Sequence, residues 1–211
     1  MARGWSRGFV KICGISTVEE AQGAVAGGAD GVGLILADSP RRVTADRARE
    51  ICDAVAGTAL RFAVFRHAPS EEVLDALSNL EVDLVQLHGV YDGDLVDEIS
   101  QRGLRTIRAL TIGSSEFYTF DDPRVAAVLI DGPQPGSGVP HSWAPLAERE
   151  FAVPVIVAGG ITPDSVAHVV AETNAWGVDC SSGVESSPGR KDMALVNSFV
   201  KNARRGFGEG E

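Results

Sequence analysis

Eight short, continuously apolar runs recur along this chain at near-even spacing, each followed by a stretch with the apolar–polar rhythm of a helix. The runs are Phe9–Cys13, Gly31–Leu36, Arg61–Phe65, Leu84–Leu87, Arg105–Ala109, Ala126–Asp131, Val153–Val157 and Gly177–Cys180. Short, apolar throughout and rich in β-branched residues, they have the character of strands covered on both faces. Strands that alternate strictly with helices pair in parallel through right-handed crossovers. An α/β fold follows, and all-helical or antiparallel sandwich architectures are excluded.

The intervening stretches carry helix punctuation. Thr17-Val18-Glu19-Glu20 opens the first with an N-cap and early acids, and Gly27-Gly28 closes it. Thr44 opens the second, which runs to Val55, and Pro69-Ser70-Glu71-Glu72 opens the third. Asp92–Gln101, Ser142–Glu148, Thr162–Glu172 and Lys191–Arg204 supply further helices, and Ile112–Pro123 has the faintest pattern. Eight units fill 211 residues with no Pro/Gly/Ser-rich linker between them. That fits a single-domain (β/α)8 TIM barrel near its lower size limit of ~200 residues. The barrel is expected over residues 9–205, with flexible termini at 1–8 and 206–211. The rival is an open doubly wound sheet, whose dinucleotide fingerprint is absent: Gly14-Ile15-Ser16-Thr17 offers a single glycine after the first strand.

Composition removes several functions. Nineteen Lys+Arg against 29 Asp+Glu leave a net charge of −10, which argues against nucleic acid and anionic membrane as partners. No apolar run reaches the ~18 residues of a membrane span, and Met1–Gly8 lacks the apolar core of a signal peptide. Cys13, Cys52 and Cys180 stand far apart with no CxxC, so a reduced, cytoplasmic protein is expected. The four histidines, His67, His88, His141 and His168, show no metal-ligand spacing, and no metal or cofactor is expected. Only Lys11, Lys191 and Lys201 could supply a Schiff-base amine.

The unusual residues fall at strand ends. Cys13, His88 and Asp131 end strands 1, 4 and 6; Arg41 follows strand 2; Gly159-Gly160 end strand 7; Ser181-Ser182-Gly183 follow strand 8. Only a closed barrel brings strand 8 beside strand 1 and lets all of them face one pocket. Gly159-Gly160 and Ser181-Ser182-Gly183 let backbone N–H groups approach an anion after strands 7 and 8, where such barrels grip phosphate. A tight turn would also explain either glycine string alone. Cys13 reads as a small buried hydrophobe or as a functional thiol, and Asp131 as a loop anchor or a catalytic acid. Arg41-Arg42 could be a solvated pair or a fork for an anion.

These strings join into a longer pattern. Val10-Lys11-Ile12-Cys13-Gly14-Ile15, Ser39-Pro40-Arg41-Arg42-Val43, Val85-Gln86-Leu87-His88-Gly89 and Leu129-Ile130-Asp131 come in order. They are followed by Pro135-Gly136-Ser137-Gly138, Ala158-Gly159-Gly160-Ile161, the run from Gly177 through Asp179-Cys180-Ser181-Ser182-Gly183 to Glu185, and Pro188-Gly189-Arg190-Lys191-Asp192. From Val10 to about Ala203 the sequence resembles the phosphoribosylanthranilate isomerases of tryptophan biosynthesis. The resemblance implies a cofactor-free Amadori rearrangement of N-(5′-phosphoribosyl)anthranilate to 1-(o-carboxyphenylamino)-1-deoxyribulose 5-phosphate. By the same resemblance Cys13 is the general base, Asp131 the general acid, and Arg41 lies near the anthranilate carboxylate. His88 and Asp179 match supporting, substrate-binding positions; Gly159, Gly160, Ser181, Ser182 and Gly183 match the phosphate site. The sole partner expected is a phosphorylated small molecule, bound by a monomer, with a dimer left open.

Such chemistry needs an acid that protonates the furanose ring oxygen and a base that removes the C2′ proton. The thiol would act as thiolate in an electropositive pocket, and the carboxyl would stay protonated by desolvation or a neighbouring negative charge. Two strings depart from the family: Val64-Phe65-Arg66-His67 stands for a VFVN-like strand end, and His141-Ser142 for a Phe-Asp pair before Trp143. Two alternatives stand beside this reading: an aminosugar isomerase of histidine biosynthesis, whose aspartate pair conflicts with Cys13, and a non-catalytic barrel that binds a phosphorylated ligand.

Overall fold

The computed structural model describes residues 5–91, 93–133 and 141–209. Eight strands, β1 (Phe9–Cys13), β2 (Gly31–Ile35), β3 (Leu60–Arg66), β4 (Leu84–His88), β5 (Arg105–Thr111), β6 (Ala127–Asp131), β7 (Val155–Val157) and β8 (Gly177–Cys180), close into a parallel barrel. Closure is direct: β1 pairs with β2 on one side and with β8 on the other, Lys11 standing opposite Asp179. The helices that follow are α1 (Val18–Ala26), α2 (Ala45–Ala54), α3 (Ser70–Ser78), α4 (Gly93–Gln101), α5 (Ser115–Thr119), α6 (Ala144–Ala147), α7 (Val166–Thr173) and α8 (Met193–Gly206). The expected (β/α)8 architecture is the one found.

The period of two along each strand divides the core. Outward residues such as Val10, Ile12, Val32 and Leu34 are fully buried against the helices. Inward residues Phe9, Phe62, Leu84, Ile107, Leu129 and Ile156 fill the lower barrel. Gly31 makes room there: a Cβ on it would stand 2.7 Å from the Phe62 ring and 2.9 Å from that of Phe9. Phe62 is wholly buried, so truncating it to alanine would cost about 3–5 kcal/mol.

Below this layer Trp5 packs between Phe9 and Trp176, with ring centroids 5.0 and 4.5 Å away, and the Gly8 N–H donates to the Trp176 carbonyl. Residues Trp5–Gly8, read from the sequence as a loose lead-in, therefore belong to the barrel floor. At the other terminus α8 extends to Gly206, and the Glu209 N–H donates to the Arg204 carbonyl.

Helix starts follow their side chains. The Thr17 hydroxyl accepts from the Glu20 N–H at 3.2 Å, and Glu20 reaches back to the Ser16 N–H at 2.8 Å, closing a reciprocal cap. The Thr44 hydroxyl accepts from the Arg47 N–H and caps α2, without a reciprocal bond among the described residues. Several expected boundaries shift, three of them for a plain local reason. β7 begins at Val155 rather than Val153, because Pro154 has no N–H to give the ladder. Thr162 and Ser165 bond each other in a turn, so α7 starts at Val166 rather than at Thr162. Lys191, expected to open the last helix, lies instead in a small hairpin of β9 (Glu185–Ser187) and β10 (Arg190–Lys191), and Asp192 caps α8. Among the described residues no helix is long and apolar enough to cross a membrane.

Candidate active site

The barrel opens at the carboxyl ends of its strands into a cavity of about 420 Å³. Cys13, Arg41, His88, Asp131, Gly159, Gly160, Asp179, Ser181, Ser182 and Gly183 all line it. All ten candidate catalytic, substrate-binding and phosphate-binding residues are thus brought to one mouth.

Cys13 ends the inner face of β1, 5% exposed. Burial pushes its thiol up; the Lys11 ammonium is the largest influence pulling it back, Asp179 works against the thiolate, and Lys191 favours it. Burial therefore outweighs the cations around the thiol, and its titration lies above the ordinary range. Lys11 lies one inward position below, fully buried, with its ammonium 3.0 Å from Asp179 Oδ1. Burial opposes that ammonium, but Asp179 and Cys13 hold it charged. Burial likewise raises the Asp179 carboxyl, against the pull of Lys11.

Across the mouth, Asp131 ends β6. Its Oδ1 accepts the Gly132 N–H at 2.8 Å, and its Oδ2 stands 3.6 Å from His88 Nε2, beyond hydrogen-bonding reach. Gly159, at φ +85°, is seated against this carboxyl: a Cβ there would fall 2.3 Å from Asp131 Oδ1. Gly159 and Gly160 donate no backbone hydrogen bond to the described residues, which leaves their N–H groups for a ligand. Gly183 presses so closely on the β7 loop that a Cβ would stand 2.1 Å from the Ile161 carbonyl oxygen. Gly183 is the middle residue of a 3-10 turn, Ser182–Val184. The short turn after β8, rather than the N-terminus of α7, therefore stands beside the glycine loop, since α7 begins six residues beyond Gly160.

Arg41 is engaged. Its Nε and Nη2 donate to the two Glu185 carboxylate oxygens at 2.7 and 2.9 Å. Glu185 also accepts from Lys191 Nζ at 2.7 Å, and that ammonium donates on to the Ser181 carbonyl at 3.1 Å. Burial alone would raise the Glu185 carboxyl; Arg41 and Lys191 reverse this and hold it below the ordinary range. The arginine expected to meet a substrate carboxylate thus spends its fork on the hairpin and keeps Nη1 outside that pair.

Sequence reasoning gave Glu185, Gln86 and Arg66 no place in the site, and considered Lys11 and Lys191 only as possible Schiff-base amines. Arg66 follows Val64 on the inner side of β3, in register with His88, lines the cavity and forms no ion pair among the described residues. The usable signal was parity: counting back by two from Cys13 reaches Lys11. His67, the other departure from the family string, holds a φ of 51° and tucks its ring against Gly89. His141 lies 4.3 Å from Trp143 between ring centroids. The Pro135-Gly136-Ser137-Gly138 string lies outside the described residues.

A model of the family described as N-(5′-phosphoribosyl)anthranilate (PRA) isomerase matches residues 10–202. The chain belongs to this family. Isomerases named N-(5′-phosphoribosyl)anthranilate isomerase from Rubrobacter xylanophilus and Geotalea uraniireducens are 39% and 36% identical, over 92% of this chain and 98% of each relative. The solved phosphoribosyl anthranilate isomerase of Thermotoga maritima superposes with a TM-score of 0.81 at 30% identity, covering 93% of this chain and 98% of that one. That of Thermus thermophilus gives 0.80 at 33%, covering 92% and 97%. One further isomerase structure, 30% identical, was solved with reduced 1-(o-carboxyphenylamino)-1-deoxyribulose 5-phosphate. In this isomerase chain the candidate residues of the described family strings thus meet at one end of the barrel.

Proposed function

We propose that the barrel of residues 9–205 catalyses the Amadori rearrangement of N-(5′-phosphoribosyl)anthranilate in tryptophan biosynthesis. The observation that carries the reading is the placement of Cys13 and Asp131 at the ends of β1 and β6, on one cavity with the glycine and serine loops after β7 and β8.

The phosphate sits against the N–H groups of Gly159 and Gly160 and the Ser181-Ser182-Gly183 turn. Asp131 gives its proton to the furanose ring oxygen as the C1′–O bond breaks, leaving an iminium at C1′. Cys13, as thiolate, then takes the C2′ proton, and the resulting enolamine tautomerises to the ketone. His88 stands beside the proposed acid, 3.6 Å from its Oδ2, and Asp179 fixes Lys11 beneath the thiol. Arg41 places Nη1 near the aryl carboxylate while Glu185 holds its other two nitrogens. No step calls for a metal or redox group. A monomer is the working unit in this reading, and three buried free cysteines fit a reducing cytoplasm.

Enzyme added to freshly made substrate should abolish the fluorescence of the anthranilate conjugate, with inorganic phosphate competing. Turnover of the histidine-pathway aminosugar instead would move the reading to that class, and binding without turnover to a ligand-binding barrel.

A further inference from the structure

We propose that Lys11 is a positioning residue: its buried ammonium is the fixed cation that holds Cys13 as a thiolate when the C2′ proton is taken. The inference rests on the base assignment above and names the group that makes a buried thiol competent for it.

The placement begins in the sequence. Lys11 and Cys13 are two residues apart on β1, so both point into the barrel. Both converge on the hollow left by Gly33: a Cβ there would stand 2.8 Å from Cys13 Sγ and 3.1 Å from Lys11 Nζ. Thiol and ammonium are therefore within ~6 Å, the range in which one charge shifts the titration of another. A side chain of any size at position 33 would occupy that hollow and part them.

The ammonium is also fixed. Lys11 is fully buried, Asp179 Oδ1 holds it from β8 at 3.0 Å, and the Phe62 ring on β3 lies 5.3 Å from Nζ. Its stem has no route to solvent. A buried cation with one carboxylate partner keeps further hydrogen-bonding capacity, because an ammonium carries three donors. The charged groups acting on Cys13 come from four places: Lys11 on β1, Asp179 on β8, Lys191 on β10, and Arg41 after β2. Arg41 and Lys191 share Glu185, which neutralises much of their pull. Lys11 is the cation closest in sequence and the largest influence drawing the thiol's titration down.

The test is the pH dependence of Cys13 alkylation by iodoacetamide, followed by peptide mass spectrometry from neutral to alkaline pH. In Lys11→Met the reaction at neutral pH should slow by at least about tenfold, and the acid limb of kcat/KM should move to higher pH. Asp179→Asn removes the negative charge and keeps the ammonium, so its alkylation limb should move to lower pH. If Lys11→Met does not fold because Asp179 is left unpaired, Lys11→Met/Asp179→Asn removes both charges and should slow the reaction like the single variant. A role confined to packing would leave the alkylation limb in place, and a shift of Lys11→Met and Asp179→Asn in the same direction would also overturn the proposal. Wild-type turnover is measured alongside: its absence would refute the assigned function, whereas turnover with an unmoved thiol titration would refute only this inference.

Discussion

Replacing Gly159 by alanine tests whether the β7 loop sets the position of the proposed acid. Two costs add. At φ +85° an L side chain is strained, by about 1–2 kcal/mol. The new methyl would also stand 2.3 Å from Asp131 Oδ1 and 2.5 Å from the Gly132 nitrogen, backbone that cannot swing away. Overpacking of that kind costs about 1–3 kcal/mol. Together they should lower the melting temperature by roughly 4–20 °C, taking 2–4 °C per kcal/mol for a chain of this size. The carboxyl must shift to admit the methyl, and a displacement of ~1 Å at a reacting group costs about 100-fold in rate. Gly57→Ala is the control: its φ is +71°, so the backbone strain is similar, but nothing lies within 4 Å of the added methyl. Thermal unfolding and the fluorescence assay would be run on both. If Gly159→Ala kept kcat within about threefold of Gly57→Ala, Asp131 would not be placed by this contact.

Cys13→Ser should fold normally and lose at least ~10³-fold in kcat, because a serine hydroxyl yields no resting base; near-normal kcat would leave Cys13 as packing. Arg41→Ala should lower kcat/KM by about 10–150-fold and blunt discrimination against the aniline conjugate, which lacks the carboxylate, while Arg42→Ala changes little. Equal discrimination by wild type and Arg41→Ala would remove the carboxylate from its role. Glu185 has its folded pKa held below the ordinary 4.5, so its stabilisation is complete above that value and is lost as pH falls through the lower one. Glu185→Gln should therefore be less stable than wild type at neutral pH, with the gap in melting temperature closing in acid; a constant gap would contradict the ion-pair account.

Where sequence and structure part, local chemistry explains it. β1 and β8 have the boundaries expected from their apolar runs, since nothing in them competes with the ladder. Pro154 shortens β7, and the Thr162–Ser165 turn delays α7, both through side-chain chemistry that periodicity ignores. The β9–β10 hairpin escaped notice because five polar or small residues around Gly189 carry no alternation, and its register is fixed by distant groups: Glu20 accepts the Lys191 N–H. Site residues at strand ends were readable because rare polar types interrupt apolar runs there. Lys11 and Asp179 were harder, since an apolar run averages over a single charge whose partner lies 168 positions away. The engagement of Arg41 by Glu185 was invisible, because an ion pair across two loops leaves no trace in local spacing.

The aromatic floor has a consequence for spectroscopy. Trp5 and Trp176 sit together at the bottom of the barrel, their rings 4.5 Å apart, so their emission reports whether strands β1 and β8 are joined. The third tryptophan, Trp143, lies beyond β6 at the opposite end, nearly buried and 4.3 Å from His141. His141 in turn abuts Gly132, the neighbour of Asp131: a Cβ on Gly132 would meet its Nδ1 at 2.8 Å. The molecule thus carries two separate optical signals, one for barrel closure and one for events beside the acid. Trp143→Phe would leave a protein whose remaining emission follows unfolding alone.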